Sequence, residues 1–146
     1  MEVGQFGNRM IELLPKLMRG VTEQEHNYLS GGKITLPQLW ALEYLSRQGS
    51  SPMNTLAGHL KISRPAATGL IDRLIAQGLV RREGDSKDRR VVRVSITSKG
   101  RKITTDIWEQ KRKTIIKVFG QISPEEREQY ITILGKVVAN LAQQPK

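Results

Sequence analysis

Apolar positions recur with a helical period along most of the chain and switch to a two-residue period in one short stretch. From about Asn8 to Leu29, Met10, Leu13, Leu14, Leu17 and Val21 fall three and four apart, which predicts a helix. Pro15 lies inside that pattern and implies either a kink or a place in the first turn. Ser30-Gly31-Gly32 ends it. Thr35-Leu36-Pro37-Gln38 has capping-box spacing and opens a helix to about Gln48, with Leu39, Leu42 and Leu45 inward and Gly49 as breaker. Ser51-Pro52 opens a short helix with Leu56, Ala57 and Leu60 on its buried side, stopping near Lys61. Ser63 caps the next, which runs to Gln77 on a stripe of Ala67, Leu70, Ile71 and Leu74 and closes at Gly78. The join from Lys61 to Ser63 is short enough to turn the chain sharply, as in a helix-turn-helix.

The period then drops to two. Val80-Arg81-Arg82-Glu83 reads as a strand, Gly84 to Arg89 as a polar turn, and Val92, Val94 and Ile96 as the buried side of a second strand. Together they predict a β-hairpin with a charged tip. A long helix follows from about Gly100 to Phe119, anchored by Ile103, Ile107, Ile115 and Val118. Ser123-Pro124-Glu125-Glu126 is a second capping box, and the helix it opens runs to about Ala142 on a stripe that includes Tyr130, Ile131, Leu134 and Val138. The expected fold is mainly α (α+β) in a single domain. A winged helix-turn-helix lobe spans 36–97, with a small β-hairpin as wing, and a helical dimerisation region is built from both chain ends, 1–30 and 98–146. The terminal helices carry more apolar surface than a lobe of this size needs, so a homodimer is expected.

Charge sharpens this picture through its distribution. The 146 residues carry a net charge of +10. Residues 1–60 are neutral overall, whereas residues 61–102 hold twelve basic against four acidic side chains. That concentration on the helix-turn-helix and hairpin is the footprint of a phosphate-contacting segment. Cysteine is absent, which excludes disulfides, thiol redox sensing and cysteine-ligated metal. No apolar run approaches the ~18 residues of a membrane span, so no membrane partner is expected. The start MEVGQFGNRM lacks the basic and apolar regions of a secretory signal, and a cytoplasmic location fits. His26 and His59 stand apart from any ligand set, so no metal is expected, and no cofactor motif is visible. No nucleophile motif, glycine-rich phosphate loop or carboxylate pair points to an enzyme. Asp85 and Asp88 lie in a basic loop that keeps them ionised and poor as general acids.

The stretch Gly78-Leu79-Val80-Arg81-Arg82-Glu83-Gly84-Asp85-Ser86-Lys87-Asp88-Arg89-Arg90, followed by Val94-Ser95-Ile96-Thr97-Ser98-Lys99-Gly100, resembles the wing signature of MarR-type regulators. Thr35-Leu36-Pro37-Gln38-Leu39-Trp40-Ala41-Leu42 is similar to that family's second helix, and the likeness extends over the whole chain in element order and length. The resemblance implies an obligate homodimer on a pseudo-palindromic double-stranded DNA operator, and usually repression relieved by a small phenolic or anionic effector. It implies that Arg90 enters the minor groove and that Asp88 orients it. Pro15 in the first helix and Gly69 on the recognition helix depart from the family pattern.

Other residues carry two readings each. Ser63, Arg64, Pro65 and Thr68 lie on the first turns of the helix expected in the major groove, where Arg64 suits guanine or phosphate and Ser63 also serves as cap. Arg73 is a DNA-backbone contact or an intramolecular ion-pair partner. Lys87 and Arg89 are phosphate contacts or solvated charges, and Asn54 and Thr55 hold phosphate or are plain surface polarity. Trp40, Tyr44 and Trp108 are core or interface aromatics, while an effector pocket between the lobe and the dimer helices would draw on His26, Trp40 and Tyr44. The functional expectation is a sequence-specific transcriptional regulator, a repressor released by a ligand. The alternatives are a non-specific or architectural DNA-binding protein and a scaffold that binds an acidic partner.

Overall fold

The structure, a computed structural model, describes the backbone of residues 1–143 and the side chains within that range except those of 24–30. Nine elements follow in order: α1 (Val3–Ser30), α2 (Leu36–Gln48), β1 (Ser51–Pro52), α3 (Met53–Leu60), α4 (Arg64–Ala76), β2 (Val80–Gly84), β3 (Val92–Ile96), α5 (Ser98–Phe119) and α6 (Pro124–Gln143). This is a winged helix with long helices at both chain ends.

The helix boundaries of the lobe are set by local chemistry. Thr35 N–H donates to Gln38 Oε1 at 2.9 Å and Thr35 Oγ1 accepts from Gln38 N–H at 3.4 Å, so two otherwise unpartnered donors at the start of α2 satisfy each other's segment. Ser63 Oγ accepts from Ala66 N–H at 3.2 Å, and Pro65 occupies the first turn of α4, where its missing N–H costs nothing. Between α3 and α4 the chain turns at Lys61, whose φ of 55° is left-handed, and Ile62 N–H reaches back to Ala57 O at 3.1 Å. At the end of α4, Gly78 takes φ 72°; its N–H donates to Ile75 O and that of Leu79 to Leu74 O. This Schellman-type ending turns the chain out of α4 and directly into β2.

The sheet has the order β1-β3-β2, all antiparallel. The wing register pairs Val80 with Ile96 at the base and Gly84 with Val92 near the tip. β1 is a departure from expectation, since Ser51-Pro52 was read as the opening of a helix. It pairs Ser51 with Val94 and Pro52 with Arg93 instead. Proline is tolerated there because β1 lies at the edge, and two residues are too few for a period of two to show. α5 also starts earlier than Gly100, because Thr97 Oγ1 accepts from Gly100 N–H at 3.1 Å and caps the helix. Thr97 in turn donates its own N–H to Leu79 O at 3.0 Å, and a Cβ on Gly100 would stand 2.2 Å from that same oxygen. Gly100 is thus required by close packing of α5 on the entry to β2.

The buried core is drawn from residues 34–107, with Leu39, Leu42, Leu45, Leu56, Ile71, Leu74, Val94 and Ile107 fully buried. Each such side chain contributes about 1.5–3 kcal/mol by leaving water. The core holds α4 and the wing rigidly against α2 and α3. The terminal helices differ. α1 begins at Val3, earlier than Asn8, runs through Pro15 and packs on α5. No residue of α6 is buried, and Ile131, Leu134, Val138 and Leu141 are all exposed. Leu14, Met18, Ile115, Tyr130, Ile131 and Leu134 border an apolar groove of about 560 Å³ among α1, α5 and α6. No described helix is long and apolar enough to cross a membrane.

Candidate nucleic-acid interface

The first turns of α4 present Ser63, Arg64 and Pro65 to solvent, with Thr68 half-buried one turn on. Thr68 Oγ1 donates to Arg64 O at 3.0 Å, which leaves that hydroxyl's acceptor capacity unused. Arg64 and Thr68 share a small cavity of about 160 Å³ with Met53, Arg82 and Val92, so recognition helix and wing meet here. Arg82 in β2 forms an ion pair with Asp72 on α4 and ties the two elements together. Asn54 and Thr55 are exposed on the first turn of α3, a helix whose N-cap, Pro52, gives it no side-chain hydrogen bond. Arg73 is exposed in the last turn of α4, beside a groove that Thr35 and Gln77 also line, and stands apart from the Ser63–Thr68 turn.

The wing tip is organised by two carboxylates. Asp85 Oδ1 accepts the backbone N–H groups of Lys87 at 2.7 Å and Asp88 at 3.1 Å. Asp88 grips Arg90 with both oxygens, Oδ1 taking Nε and Oδ2 taking Nη2, each at 3.2 Å, while Oδ1 also accepts Arg90 N–H at 3.0 Å. Asp88 and Arg90 meet because the chain turns at 89–90, whereas an extended segment with side chains on one side was the sequence argument. The Arg90 side chain is 91% exposed, so the carboxylate is what aims it. Both acids are held below their ordinary pKa. For Asp85 the Lys87 and Asp88 amides dominate, with Arg93 adding to them; for Asp88 the Arg90 guanidinium comes first and its N–H second.

Each of the four acids in 61–102 is paired with one arginine: Asp72 with Arg82, Glu83 with Arg81, Asp85 with Arg93 and Asp88 with Arg90. Among the described residues, Lys61, Arg64, Arg73, Lys87, Arg89, Lys99 and Arg101 of this segment are without an ion pair, and of these Lys99 and Arg101 donate instead to Gln77 O and to Ser46. Among the described residues Arg73 therefore has no salt bridge, and Lys87 and Arg89 are exposed at the tip without an ion pair. Arg93 was passed over in the sequence as one polar position of an alternating strand. Its partners Ser50 and Asp85 come from outside that strand, and only the fold brings them together.

Of the effector residues expected from sequence, Trp40 and Tyr44 lie one turn apart on α2. The side chain of His26 lies outside the described residues. Trp40 is 48% exposed on α2, and Tyr44 stacks on His59 with ring centroids 4.3 Å apart. A cavity of about 290 Å³ between α2 and α5 is lined by other residues, including Glu43, Arg47, Thr104, Trp108 and Lys111, with Lys111 Nζ 3.7 Å from Glu43 Oε1. These belong to helices far apart in the chain, and no local pattern announces them. Among the described residues there is no cluster of three His, Cys, Asp or Glu able to hold a metal.

The profile of the MarR family matches residues 33–91, the segment that carries α2 to the wing tip. The chain is 29% identical over 110 residues to YfiV of Bacillus subtilis, an HTH-type transcriptional regulator, covering 73% of this chain and 69% of that one. A MarR family protein from Bacillus stearothermophilus superposes with a TM-score of 0.83 at 24% identity, over 98% of this chain and 100% of that one. A MarR family transcriptional regulator from Silicibacter pomeroyi gives a TM-score of 0.64 at 26% identity over 100% of both chains. Over residues 33–91 the chain is similar to the MarR family. MarR-family proteins are transcription regulators, not enzymes; they bind DNA and act as dimers. In this chain Arg64 at the start of α4 and Lys87 and Arg89 at the wing tip are without an ion pair among the described residues, and Asp88 and Arg90 are joined.

Proposed function

We propose that the chain is a homodimeric repressor that binds a pseudo-palindromic double-stranded DNA operator and is released by a small phenolic or anionic ligand. The observation that carries the DNA reading is the set of cations without ion pairs among the described residues, Arg64 on α4 and Lys87 and Arg89 on the wing, beside an Arg90 that the Asp88 carboxylate aims outward. Arg64 and Thr68 read base edges in the major groove, Ser63 and Pro65 shape the approach, and Arg90 enters the adjacent minor groove with Asp88 as its brace. Lys87, Arg89, Arg73, Asn54 and Thr55 hold phosphates. The lobe at 36–97 does the reading, and 1–30 with 98–146 forms the dimer through the uncovered stripes of α1 and α6. The two lobes then meet half-sites one helical turn, about 34 Å, apart. Such a regulator works in the cytoplasm on chromosomal DNA.

Release works through a change in lobe spacing that a ligand selects by differential affinity. The α2–α5 cavity, lined by Trp108 and Arg47 among others, supports an anionic aromatic ligand. The test is selection of bound duplexes from a random library. An enriched two-fold sequence bound ~10³-fold or more above random DNA supports the operator reading. A ratio near one replaces it with architectural binding, and no salt-dependent binding at all favours an acidic protein partner. Repeating the selection with phenolic acids tests release.

A further inference from the structure

We infer that Arg93 is a positioning residue of the wing, whose guanidinium, spread between Ser50 and Asp85, holds the tip that carries Lys87, Asp88 and Arg90 in one arrangement. The functional consequence rests on the DNA reading above. Arg93 sits in β3 between Pro52 of β1 and Glu83 of β2. Its Nε donates to Ser50 Oγ at 3.1 Å and its Nη2 to Ser50 O at 2.7 Å, while Nη1 donates to Asp85 Oδ2 at 3.2 Å. The other oxygen of Asp85 takes the amides of Lys87 and Asp88, and Asp88 takes Arg90. One series of bonds thus runs from the joint after α2 to the tip arginine.

What sets this link apart is where it leads. Among the described residues, the remaining hydrogen bonds of the tip close on the loop itself: Asp85 N–H to Val91 O and Val91 N–H to Asp88 O. Arg93 joins the loop to Ser50, in the segment that leaves α2 beyond Gly49. The pair is also better sheltered than its neighbours. The side chains of Arg93 and Asp85 are 32% and 17% exposed, against 91% and 40% for Arg90 and Asp88, so salt screens it less. The chemistry requires arginine. A planar fork serves two partners in different directions at once, whereas a lysine carries its three donors on one nitrogen.

Arg93→Lys keeps the charge and removes the fork; Arg93→Ala removes both. In the full-length chain, backbone ¹⁵N order parameters at 86–90 should fall in both variants from about 0.85 to below about 0.6. Affinity for the duplex enriched by the wild type should drop about tenfold in both, with the thermal midpoint close to wild type. Unchanged order at 86–90 in Arg93→Ala overturns the inference. So does wild-type order and affinity in Arg93→Lys, because charge alone would then suffice, as for a direct phosphate contact. If the wild type prefers no duplex, the DNA reading fails while the order parameters still decide the role of Arg93. Should Arg93→Ala unfold, Asp85→Ala cuts the other end of the link, and unchanged order at 86–90 there refutes it equally.

Discussion

Replacing Asp88 with alanine sets two physical effects against each other. The substitution removes a negative charge from a segment with twelve basic and four acidic side chains, so simple electrostatics calls for tighter DNA binding. It also removes the group that fixes Arg90, which is otherwise exposed and free to turn. The freed arginine then has to be immobilised during binding, at a cost of about 0.5–1.5 kcal/mol, or about 2- to 13-fold in Kd. The two effects act on different DNA. Random duplex feels the charge and should bind slightly tighter, with a log–log salt slope steeper by up to about 0.9. The selected duplex depends on the placement of Arg90 and should bind more weakly. The assay is fluorescence anisotropy on labelled selected and scrambled duplexes between 50 and 200 mM salt, the range over which phosphate contacts are most readily read.

Arg90→Ala provides the reference. Loss of a base-edge contact costs about 1–3 kcal/mol, or about 5- to 160-fold. In that background Asp88→Ala should not weaken the selected duplex further, because its carboxylate then has no side chain to orient and only the small charge effect remains. Tighter or unchanged binding of the selected duplex by the single Asp88→Ala variant would refute the bracing role and return Asp88 to an ordinary surface acid.

Three other outcomes follow from the same structure. Gly100→Ala places a methyl group 2.2 Å from Leu79 O and should destabilise the fold by about 1–3 kcal/mol, read as a lower urea midpoint; an unchanged midpoint means that the joint between α5 and β2 can yield. Because Asp85 and Asp88 titrate below the free carboxylate value, the order they confer is complete above that value and fades as pH falls through the lowered one. The amide shifts of Lys87, Asp88 and Arg90 should therefore stay constant from neutral pH to about 4 and move only below it, and a midpoint above the free value would contradict the hydrogen bonding described. Leu134→Asp, in the uncovered groove, should give a monomer by analytical ultracentrifugation and abolish binding to a two-half-site duplex, whereas a dimer that persists places the interface elsewhere.

Features fixed by neighbours in the chain were legible in the sequence. The Thr35–Gln38 box, the Ser63 cap and the Gly78 ending are all contained in a few residues, and the period of two in Val92–Ile96 revealed the wing. The start of α1 was misplaced because Gly4 and Gly7 weaken the helical signal there, although Phe6 lies four residues before Met10 and continues the stripe. β1 escaped because an edge strand of two residues has no pattern. The adjacency of Asp88 and Arg90 was legible, but its cause was not, since the chain there is turned and closed by Val91 N–H on Asp88 O rather than extended. Arg93 and the α2–α5 cavity were invisible for a further reason: their partners are joined only when α2, the sheet and α5 pack together.

The uncovered helices at the chain ends bear on recognition as much as on stability. An isolated helix of the length of α6, with no buried residue, is marginal in water, so its apolar stripe needs a second surface. A second copy of the chain offers the same stripe, and pairing about a two-fold axis covers both at once. The proposed dimer then fixes the distance between the two copies of α4. That distance has to match one turn of DNA before Arg64 or either wing can engage both half-sites. A shift in how α5 and α6 pack would therefore weaken operator binding without altering any side chain on α4. The α2–α5 cavity sits at the junction through which such a shift would pass, since α2 packs on the half of α5 nearest the wing while α1 packs on α5 as well. The apolar groove and the charged wing are, on this reasoning, two ends of one device, in which burial at the dimer sets the geometry that the cations use.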